Sequence, residues 1–138
     1  MRQHHTKNKG DLGVFKAQAD LCEQGYTVLV PLTEHEEFDL VAYKDGVFKR
    51  VQVKYREAKN NTVSVGLSTS WADKHGNHST HYTNIDVLCV FCPSTDECYY
   101  VSFADIKDNA AVTIRLTPTK NNQRVGIKMA SDYRIFPG

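Results

Sequence analysis

The sequence predicts an α/β or α+β fold, with one leading amphipathic helix and a mixed central β-sheet flanked by helices. Residues 7–24 carry apolar side chains at helical spacing, which favours a helix. Most later apolar segments are short and separated by turn signals, as is typical of strands. With 138 residues, of which 41% are hydrophobic and 24% charged, the chain fits one soluble domain over residues 1–138 and is too short for two ordinary cores.

The leading helix is predicted from a stripe of apolar side chains. Leu12, Phe15, Ala19 and Cys22 recur every three or four residues, so they are expected to face the core. Gly25 follows as a natural C-terminal stop, because glycine readily adopts the left-handed conformation that ends many helices.

The strands are predicted from segments of six to nine residues that are rich in apolar side chains. They are Tyr26–Leu32, Phe38–Tyr43, Val47–Tyr55, Thr62–Leu67, Ile85–Cys92 and Cys98–Phe103. The second and third are joined through Asp45-Gly46, and Asp-Gly between apolar runs is a strong hairpin signal. The last two form a second hairpin around Pro93. Residues 68–84, which lie between Thr62–Leu67 and the second hairpin, are polar and are interpreted as a long loop.

Composition predicts a reduced cytoplasmic protein without a membrane segment. The longest apolar run, Val87–Cys92, has six residues, far fewer than the roughly 18 that span a bilayer. The N-terminus lacks the apolar stretch of a secretory signal. Four cysteines are too few for a disulfide scaffold of this length, so reduced thiols are expected.

The net charge of +1 conceals a segregated charge pattern. Basic residues concentrate in residues 1–16, 44–59 and 115–134, whereas acidic residues concentrate in Glu34–Asp39 and Asp86–Asp108. This pattern fits a protein with a phosphate-facing side and a separate cation-binding spot. A random mixture of surface charges remains the alternative.

The first predicted hairpin brings three polar side chains to one face. If Asp45-Gly46 is its two-residue turn, Asp39 lies opposite Gln52, and Lys54 points to the same face because side chains alternate along a strand. A carboxylate, an amide oxygen and the Val53 backbone carbonyl then form an oxygen-rich corner suited to Mg²⁺. An ordinary surface ion pair is the alternative interpretation.

These residues carry a resemblance to a known family. Phe38-Asp39, followed after a hairpin by Gln52-Val53-Lys54 and preceded by a helix with Lys9-Gly10-Asp11, resembles the PD-(D/E)XK nuclease (restriction-endonuclease-like) core. The sequence departs from the pattern in two places, because Phe38 replaces the proline and Gln52 replaces the usual acid. The Q-x-K variant is similar to the small homing endonucleases of group I introns. This similarity extends to Asp86, Cys92-Pro93, Tyr99-Tyr100-Val101, Lys120–Gln123 and Ala130–Tyr133.

The resemblance implies a site-specific, metal-dependent endonuclease that hydrolyses phosphodiester bonds of double-stranded DNA. Catalytic roles would fall to Asp11, Asp39, Gln52 and Lys54. Asp11, Asp39 and the Val53 carbonyl would bind Mg²⁺, for which Mn²⁺ can substitute, and no nucleotide cofactor is expected. For Asp11, a helix-dipole role in the first turn is an equally open interpretation.

Contacts to DNA are predicted from two polar or basic regions and from the start of the helix. The candidate residues are Lys9, Trp71, Lys74, Asn77, His78, Tyr82, Arg115, Lys120, Arg124 and Lys128. A mobile solvated loop or a solvated basic tail is the alternative for each region. Because one active site per chain cuts one strand, a homodimer or homotetramer is expected, with Val87–Cys92 or the final segment as a possible interface.

Three other functions stay open. A Holliday-junction resolvase or restriction-type nuclease would share the core and differ in substrate. A non-catalytic DNA-binding protein on a degenerate nuclease core is suggested by Gln52. A zinc-binding module is suggested by His75, His78 and His81 with the pair Cys89 and Cys92, although their spacing matches no ordinary zinc finger.

Overall fold

The computed structural model describes residues 6–118, 121 and 126–138. In this part of the chain there is one α-helix, α1 (Thr6–Glu23), together with two 3-10 helices, Phe103–Asp105 and Ala130–Asp132. The strands in chain order are β1 (Thr27–Leu29), β2 (Leu40–Lys44), β3 (Val47–Tyr55), β4 (Thr62–Gly66), β5 (Ser68–Asp73), β6 (Gly76–His81), β7 (Val87–Cys92), β8 (Glu97–Ser102), β9 (Ala111–Arg115) and β10 (Lys128–Met129).

A five-stranded mixed sheet forms the centre, in the order β1-β2-β3-β7-β8. Strands β3 and β7 are parallel, and the other neighbouring pairs are antiparallel. Helix α1 packs on one face, and a three-stranded sheet, in the order β10-β9-β4, packs on the other. The mixed sheet predicted from the sequence is confirmed. A second sheet, instead of further α-helices, covers its other face in the described residues.

Strand β7 lies in the middle of the central sheet, and all six of its residues are buried. Its odd-numbered side chains, such as Cys89, join the cluster beneath α1, whereas its even-numbered ones, such as Leu88, join the cluster beneath the three-stranded sheet. Burial on both faces explains the unbroken apolar run. The expectation that Val87–Cys92 serves as a subunit interface is therefore wrong.

The buried face of α1 differs from the predicted stripe. Gly13, Ala17 and Leu21 face the core, whereas Phe15 is 64% exposed and Cys22 is exposed. The small residues let α1 approach β3 closely, since a Cβ at Gly13 would lie 3.5 Å from the Tyr55 Cβ. Apolar spacing alone did not distinguish between neighbouring stripes of the same helix. No helix in the described residues is long and apolar enough to cross a membrane.

The β2–β3 hairpin has the register predicted from its turn. Five pairs run from Lys44↔Val47 to Leu40↔Val51. Asp45 and Gly46 both have positive φ, 52° and 83°, as a two-residue type I′ turn requires. The ladder ends at Leu40, so Asp39 lies one residue beyond the last regular pair.

Residues predicted as a loop, 68–84, instead contain an antiparallel ribbon formed by β5 and β6. Ten of its twelve strand residues are exposed, on both faces, and the only apolar side chains among the twelve are Trp71 and Ala72. A strand exposed on both faces lacks the apolar–polar alternation by which strands are recognised in a sequence. The prediction of a loop failed for this reason.

Candidate active site

Asp39 lies where β2 stops alongside the longer strand β3. Its backbone N–H donates to the Val51 carbonyl at 2.9 Å, and its Oδ2 accepts the Val53 N–H at 2.8 Å. The carboxylate thus satisfies a backbone donor that a longer β2 would have paired. Because the N–H and C=O of a residue point to the same edge of a strand, the Val53 carbonyl also faces this edge.

The Gln52 amide lies between Asp39 and the backbone of Glu37. In the orientation that satisfies these partners, Nε2 donates to Asp39 Oδ2 at 2.7 Å and to the Glu37 carbonyl at 2.6 Å. The other amide atom lies 3.3 Å from the Tyr82 hydroxyl. The reversed amide would bring three oxygen atoms together, an arrangement that requires a cation between them.

Lys54 lies on the same side as Asp39 and Gln52. Its Nζ lies over the Tyr82 ring, 5.6 Å from the ring centroid, and its positive charge lowers the pKa of Asp39. The structure therefore brings together the three side chains that the hairpin register predicted. Tyr82, which contacts two of them, was predicted from the sequence only as a DNA contact and not as part of this site.

The Asp39 carboxyl has a raised pKa. Burial is the largest cause, and the Val53 N–H and the charge of Lys54 oppose it only in part. Burial disfavours the ionised form, and a bound cation would favour it. A raised pKa at a residue that lines a cleft is a property of many functional sites.

Asp11 lies on α1 across the same cavity. This cavity has a volume of about 410 Å³ and is lined by Asp11, Asp39, Gln52, Val53 and Lys54 among others. The helix begins at Thr6, and its first turn contains no acidic residue, so the helix-dipole interpretation of Asp11 is wrong. Its side chain is exposed in the cavity and does not lie on the buried stripe.

The cavity is the middle of three adjoining depressions. One neighbour shares Asp11 and Asp39 with it and extends towards Leu32, and the other shares Lys9 and extends towards Lys59. Together they form a groove across the edge of β3.

Basic side chains line one half of this groove. Lys9 is one of them, and its Nζ lies 3.7 Å from the Glu57 carboxylate. Arg56 and Lys59 line the same part but were not singled out from the sequence. The signal that pointed to them was the basic block at residues 44–59.

The ribbon holds four of the predicted DNA-contacting residues. Trp71 and His78 are cross-strand partners whose rings stack at 5.5 Å, and the Trp71 side chain is 49% exposed. Asn77 belongs to the opposite face, and Lys74 lies in the turn. The structure thus distributes these residues over two faces and the tip.

The remaining basic candidates lie in the three-stranded sheet or outside the described residues. Arg115 pairs with Thr62, which lines the groove, and its Nε donates to the Thr117 carbonyl at 2.8 Å. Lys128 is in β10, the neighbouring strand. Lys120 and Arg124 fall outside the described residues, so their roles stay predictions.

The zinc-binding alternative is wrong for the described residues. Cys89 and Cys92 are buried in β7 and belong to clusters on opposite faces of the sheet. His78 contacts the Asp73 carboxylate at 3.0 Å, and His81 contacts the Lys107 carbonyl at 2.7 Å. Throughout the described part of the chain, no three His, Cys, Asp or Glu side chains are grouped as a metal site.

The edge of β3 nevertheless fits Mg²⁺, which needs few protein ligands. Mg²⁺ is usually bound by one or two carboxylates and keeps several waters. Asp39 and Asp11 provide two carboxylates, and the Val53 carbonyl and Gln52 amide provide neutral oxygens. Gln52 Nε2 donates to Asp39 and to the Glu37 carbonyl, so the amide oxygen would reach a cation beside Asp39 only after the amide reverses.

Stability is expected to depend on pH through Asp39. Because its folded pKa is raised above 3.8, the folded state binds the proton more tightly than the unfolded chain. The ionised carboxylate therefore lowers stability at neutral pH, and this cost is lost as the pH falls through the raised pKa towards 3.8. The uncharged variant Asp39→Asn should consequently unfold at a higher urea concentration than the wild type at pH 7.

The difference in unfolding free energy between Asp39→Asn and the wild type should shrink as the pH is lowered from 7 to 4. Urea titrations across this range measure it directly. A difference that stays constant with pH would show that Asp39 titrates normally in the folded protein.

Comparisons with known proteins agree with this fold. A sequence profile described as PD-(D/E)XK endonuclease matches residues 4–136. Among solved structures, the chain is similar to "a bacterial homing endonuclease", I-Ssp6803I, with 23% sequence identity and a TM-score of 0.76. The similarity covers 95% of this chain and 89% of that chain, and at this identity it shows a shared fold. A comparison with curated proteins found no match. The resemblance noted in the sequence is confirmed.

Proposed function

The chain belongs to the PD-(D/E)XK endonuclease family, and on this premise we propose that it is a Mg²⁺-dependent endonuclease that hydrolyses double-stranded DNA at specific sites. The observation that carries the proposal is the convergence of Asp39, Gln52 and Lys54 at the open edge of β3, inside a groove. The homing endonuclease with a similar fold supports site-specific cleavage.

Some residues of the site would bind the ion, and Lys54 would act on the water and the phosphate. Asp39, Asp11, the Val53 carbonyl and the Gln52 amide oxygen would hold the ion. When bound, Mg²⁺ supplies Lewis-acid chemistry, which polarises a phosphoryl oxygen and lowers the pKa of water. The Lys54 ammonium donates to the attacking water and stabilises the negative charge that develops on the phosphate. Asp39 must be ionised to hold the ion, so activity is expected to fall at acid pH.

The groove is suited to the DNA backbone. Lys9, Arg56 and Lys59 line the half that adjoins the active site, with Arg115 near its end through the partner Thr62. Contacts of this kind fix the register of a protein on DNA without reading its sequence.

The β5–β6 ribbon is suited to reading base edges. A two-stranded ribbon fits the major groove of B-DNA. One of its faces presents the exposed and uncharged side chains of Ser70, Ala72, Asn77 and Ser79. The other face carries the Asp73 carboxylate, which phosphates repel, so the Asn77 face is the one proposed to meet the bases. Trp71 stacks on His78 on the opposite face of the ribbon. Direct DNA contacts by these two residues stay predictions.

Replacing Asn77 by alanine is expected to lower discrimination between target and unrelated DNA by about 5- to 100-fold, because one bidentate contact to adenine contributes about 1–3 kcal/mol. Competition binding at fixed salt measures the ratio. Thr80→Ala, on the opposite face of the same ribbon, is the matched control. Equal losses in the two variants would argue against base reading by the Asn77 face.

A dimer or tetramer is part of the proposal, because one site per chain cuts one strand. Phe15, Val30 and Leu32 form exposed apolar surface at the Leu32 end of the groove, which a second copy of the chain would cover. Light scattering of the purified protein tests the assembly state.

The proposed activity is tested with purified protein on a random-library duplex DNA, with Mg²⁺, with Mn²⁺ and with a chelator. Cleavage that requires the divalent ion is expected. Preference for a four-way junction over linear duplex would instead indicate a resolvase.

A second candidate, non-catalytic DNA binding, is favoured by one observation. Gln52 stands where the family has an acid, so the site has one negative ligand fewer. Gel shifts that persist while every DNA substrate stays intact in Mg²⁺ and Mn²⁺ would favour this function.

A further inference from the structure

Tyr82 contacts two of the three side chains that converge at the site. Its hydroxyl lies 3.3 Å from the Gln52 amide, and its ring lies beneath the Lys54 ammonium. The side chain is 1% exposed and packs in the cluster beneath the three-stranded sheet. Its backbone N–H donates to the Leu67 carbonyl at 3.0 Å, at the base of the ribbon. Tyr82 is therefore buried and anchored through its backbone, and the side chains of Gln52 and Lys54 both contact it.

The Gln52 amide has a different best orientation with and without a cation. Without one, its Nε2 faces Asp39 and the Glu37 carbonyl, and its oxygen faces Tyr82. With a cation beside Asp39, the oxygen must face the ion, so Nε2 turns towards Tyr82. The Tyr82 hydroxyl therefore faces the amide oxygen in the cation-free state and the amide nitrogen in the cation-bound state.

A tyrosine hydroxyl meets both demands, since it donates to the amide oxygen in one state and accepts from the amide nitrogen in the other. Phenylalanine would fill the same space but offer neither bond. An unpaired N–H group in a partly buried position is less well tolerated than an unpaired carbonyl. Loss of the hydroxyl therefore disfavours the cation-bound orientation more than the other.

We propose that Tyr82 is a positioning residue of the active site, whose hydroxyl supports the Gln52 amide as it reverses on binding a divalent cation and whose ring seats Lys54. The inference rests on the proposed function. The Lys54 Nζ is 5.6 Å from the ring centroid, within the range of a cation–π contact, so the ring limits where the ammonium can lie. The two roles are separable, because Tyr82→Phe removes the hydroxyl and keeps the ring.

The test is a Mn²⁺ titration of the DNA-free protein, followed by the electron paramagnetic resonance signal of the free ion. Tyr82→Phe is expected to bind Mn²⁺ about 3- to 10-fold more weakly than the wild type, as the loss of one hydrogen bond implies.

Tyr99→Phe is the matched control. Tyr99 is also 1% exposed and belongs to the same core cluster, but its hydroxyl bonds to Thr95 and Glu97. A merely structural role of Tyr82 predicts similar losses of thermal stability in both variants and unchanged Mn²⁺ affinity. The positioning role predicts weaker Mn²⁺ binding in Tyr82→Phe alone.

The side-chain amide signals of Gln52 in nuclear magnetic resonance provide a second readout. In the wild type they should shift on adding Mg²⁺, and in Tyr82→Phe the ion-bound amide protons should exchange faster with water. Wild-type Mn²⁺ affinity in Tyr82→Phe would overturn the inference and leave the proposed function intact. Failure of the wild type to bind Mn²⁺ would instead overturn the metal dependence of the proposed function, and the inference with it.

Discussion

Cleavage of double-stranded DNA is expected to fall by roughly 10³-fold or more when Asp39 is replaced by asparagine, with DNA binding retained. The amide keeps the shape of the carboxylate and can still accept the Val53 N–H, which Oδ2 accepts at 2.8 Å in the wild type. The negative charge that would hold the divalent ion is lost. Single-turnover cleavage and metal-free gel shifts measure the two effects separately.

Asp108→Asn is the matched control, because Asp108 is an exposed carboxylate that does not line the groove. It should cleave like the wild type. Comparable cleavage by Asp39→Asn would remove Asp39 from the mechanism. Loss of cleavage together with loss of DNA binding would show that Asp39 acts in binding the substrate.

Replacing Lys54 by methionine is expected to lower the single-turnover rate by about 10²- to 10⁴-fold at saturating Mg²⁺. Methionine keeps an unbranched apolar chain over the Tyr82 ring, so packing is preserved, while the ammonium that would stabilise the developing phosphate charge is removed. The affinity for Mn²⁺ should not fall, because Lys54 provides no ligand and its positive charge would repel the ion.

Lys107→Met, at an exposed lysine outside the groove, is the control for a general loss of positive charge. A rate for Lys54→Met that matches this control would show that Lys54 is structural. Weaker Mn²⁺ binding in Lys54→Met would indicate that the substitution disturbs Asp39 instead of acting on the chemical step.

Much of the central sheet could be predicted from local signals. The Asp45-Gly46 turn fixed the register of β2 against β3, and all five observed pairs agree with it. The fully apolar run Val87–Cys92 indicated a buried strand. Both signals are local: a two-residue turn favours Asp-Gly, and a strand buried on both faces has an unbroken apolar run.

Predictions that depended on which surface is covered were less successful. The sequence predicted that Phe15 faces the core of the domain, but Phe15 is exposed. Gly13 and Ala17 are the residues of α1 that are buried against the sheet. The spacing of apolar residues does not show that β3 approaches α1 too closely for a large side chain. The β5–β6 ribbon was missed because no core covers either of its faces.

At the active site, the sequence identified the residues and the structure arranged them. Asp39, Gln52 and Lys54 were found from hairpin register and from resemblance to a nuclease core. Tyr82 was predicted only as a DNA contact, because its place beside Gln52 comes from the fold of the ribbon base against β3 and leaves no motif. Its contacts join residues 30 positions apart in the chain.

The sequence by itself determined the hairpin that aligns Asp39 with Gln52 and Lys54, because a two-residue turn and the alternation of side chains along a strand are local properties. The tertiary structure decided how short β2 is relative to β3, which leaves the Val53 N–H to the Asp39 carboxylate. It also decided which atoms surround the Gln52 amide and how far Asp39 is buried. Burial and hydrogen-bond partners depend on segments distant in the chain, and no local pattern encodes them.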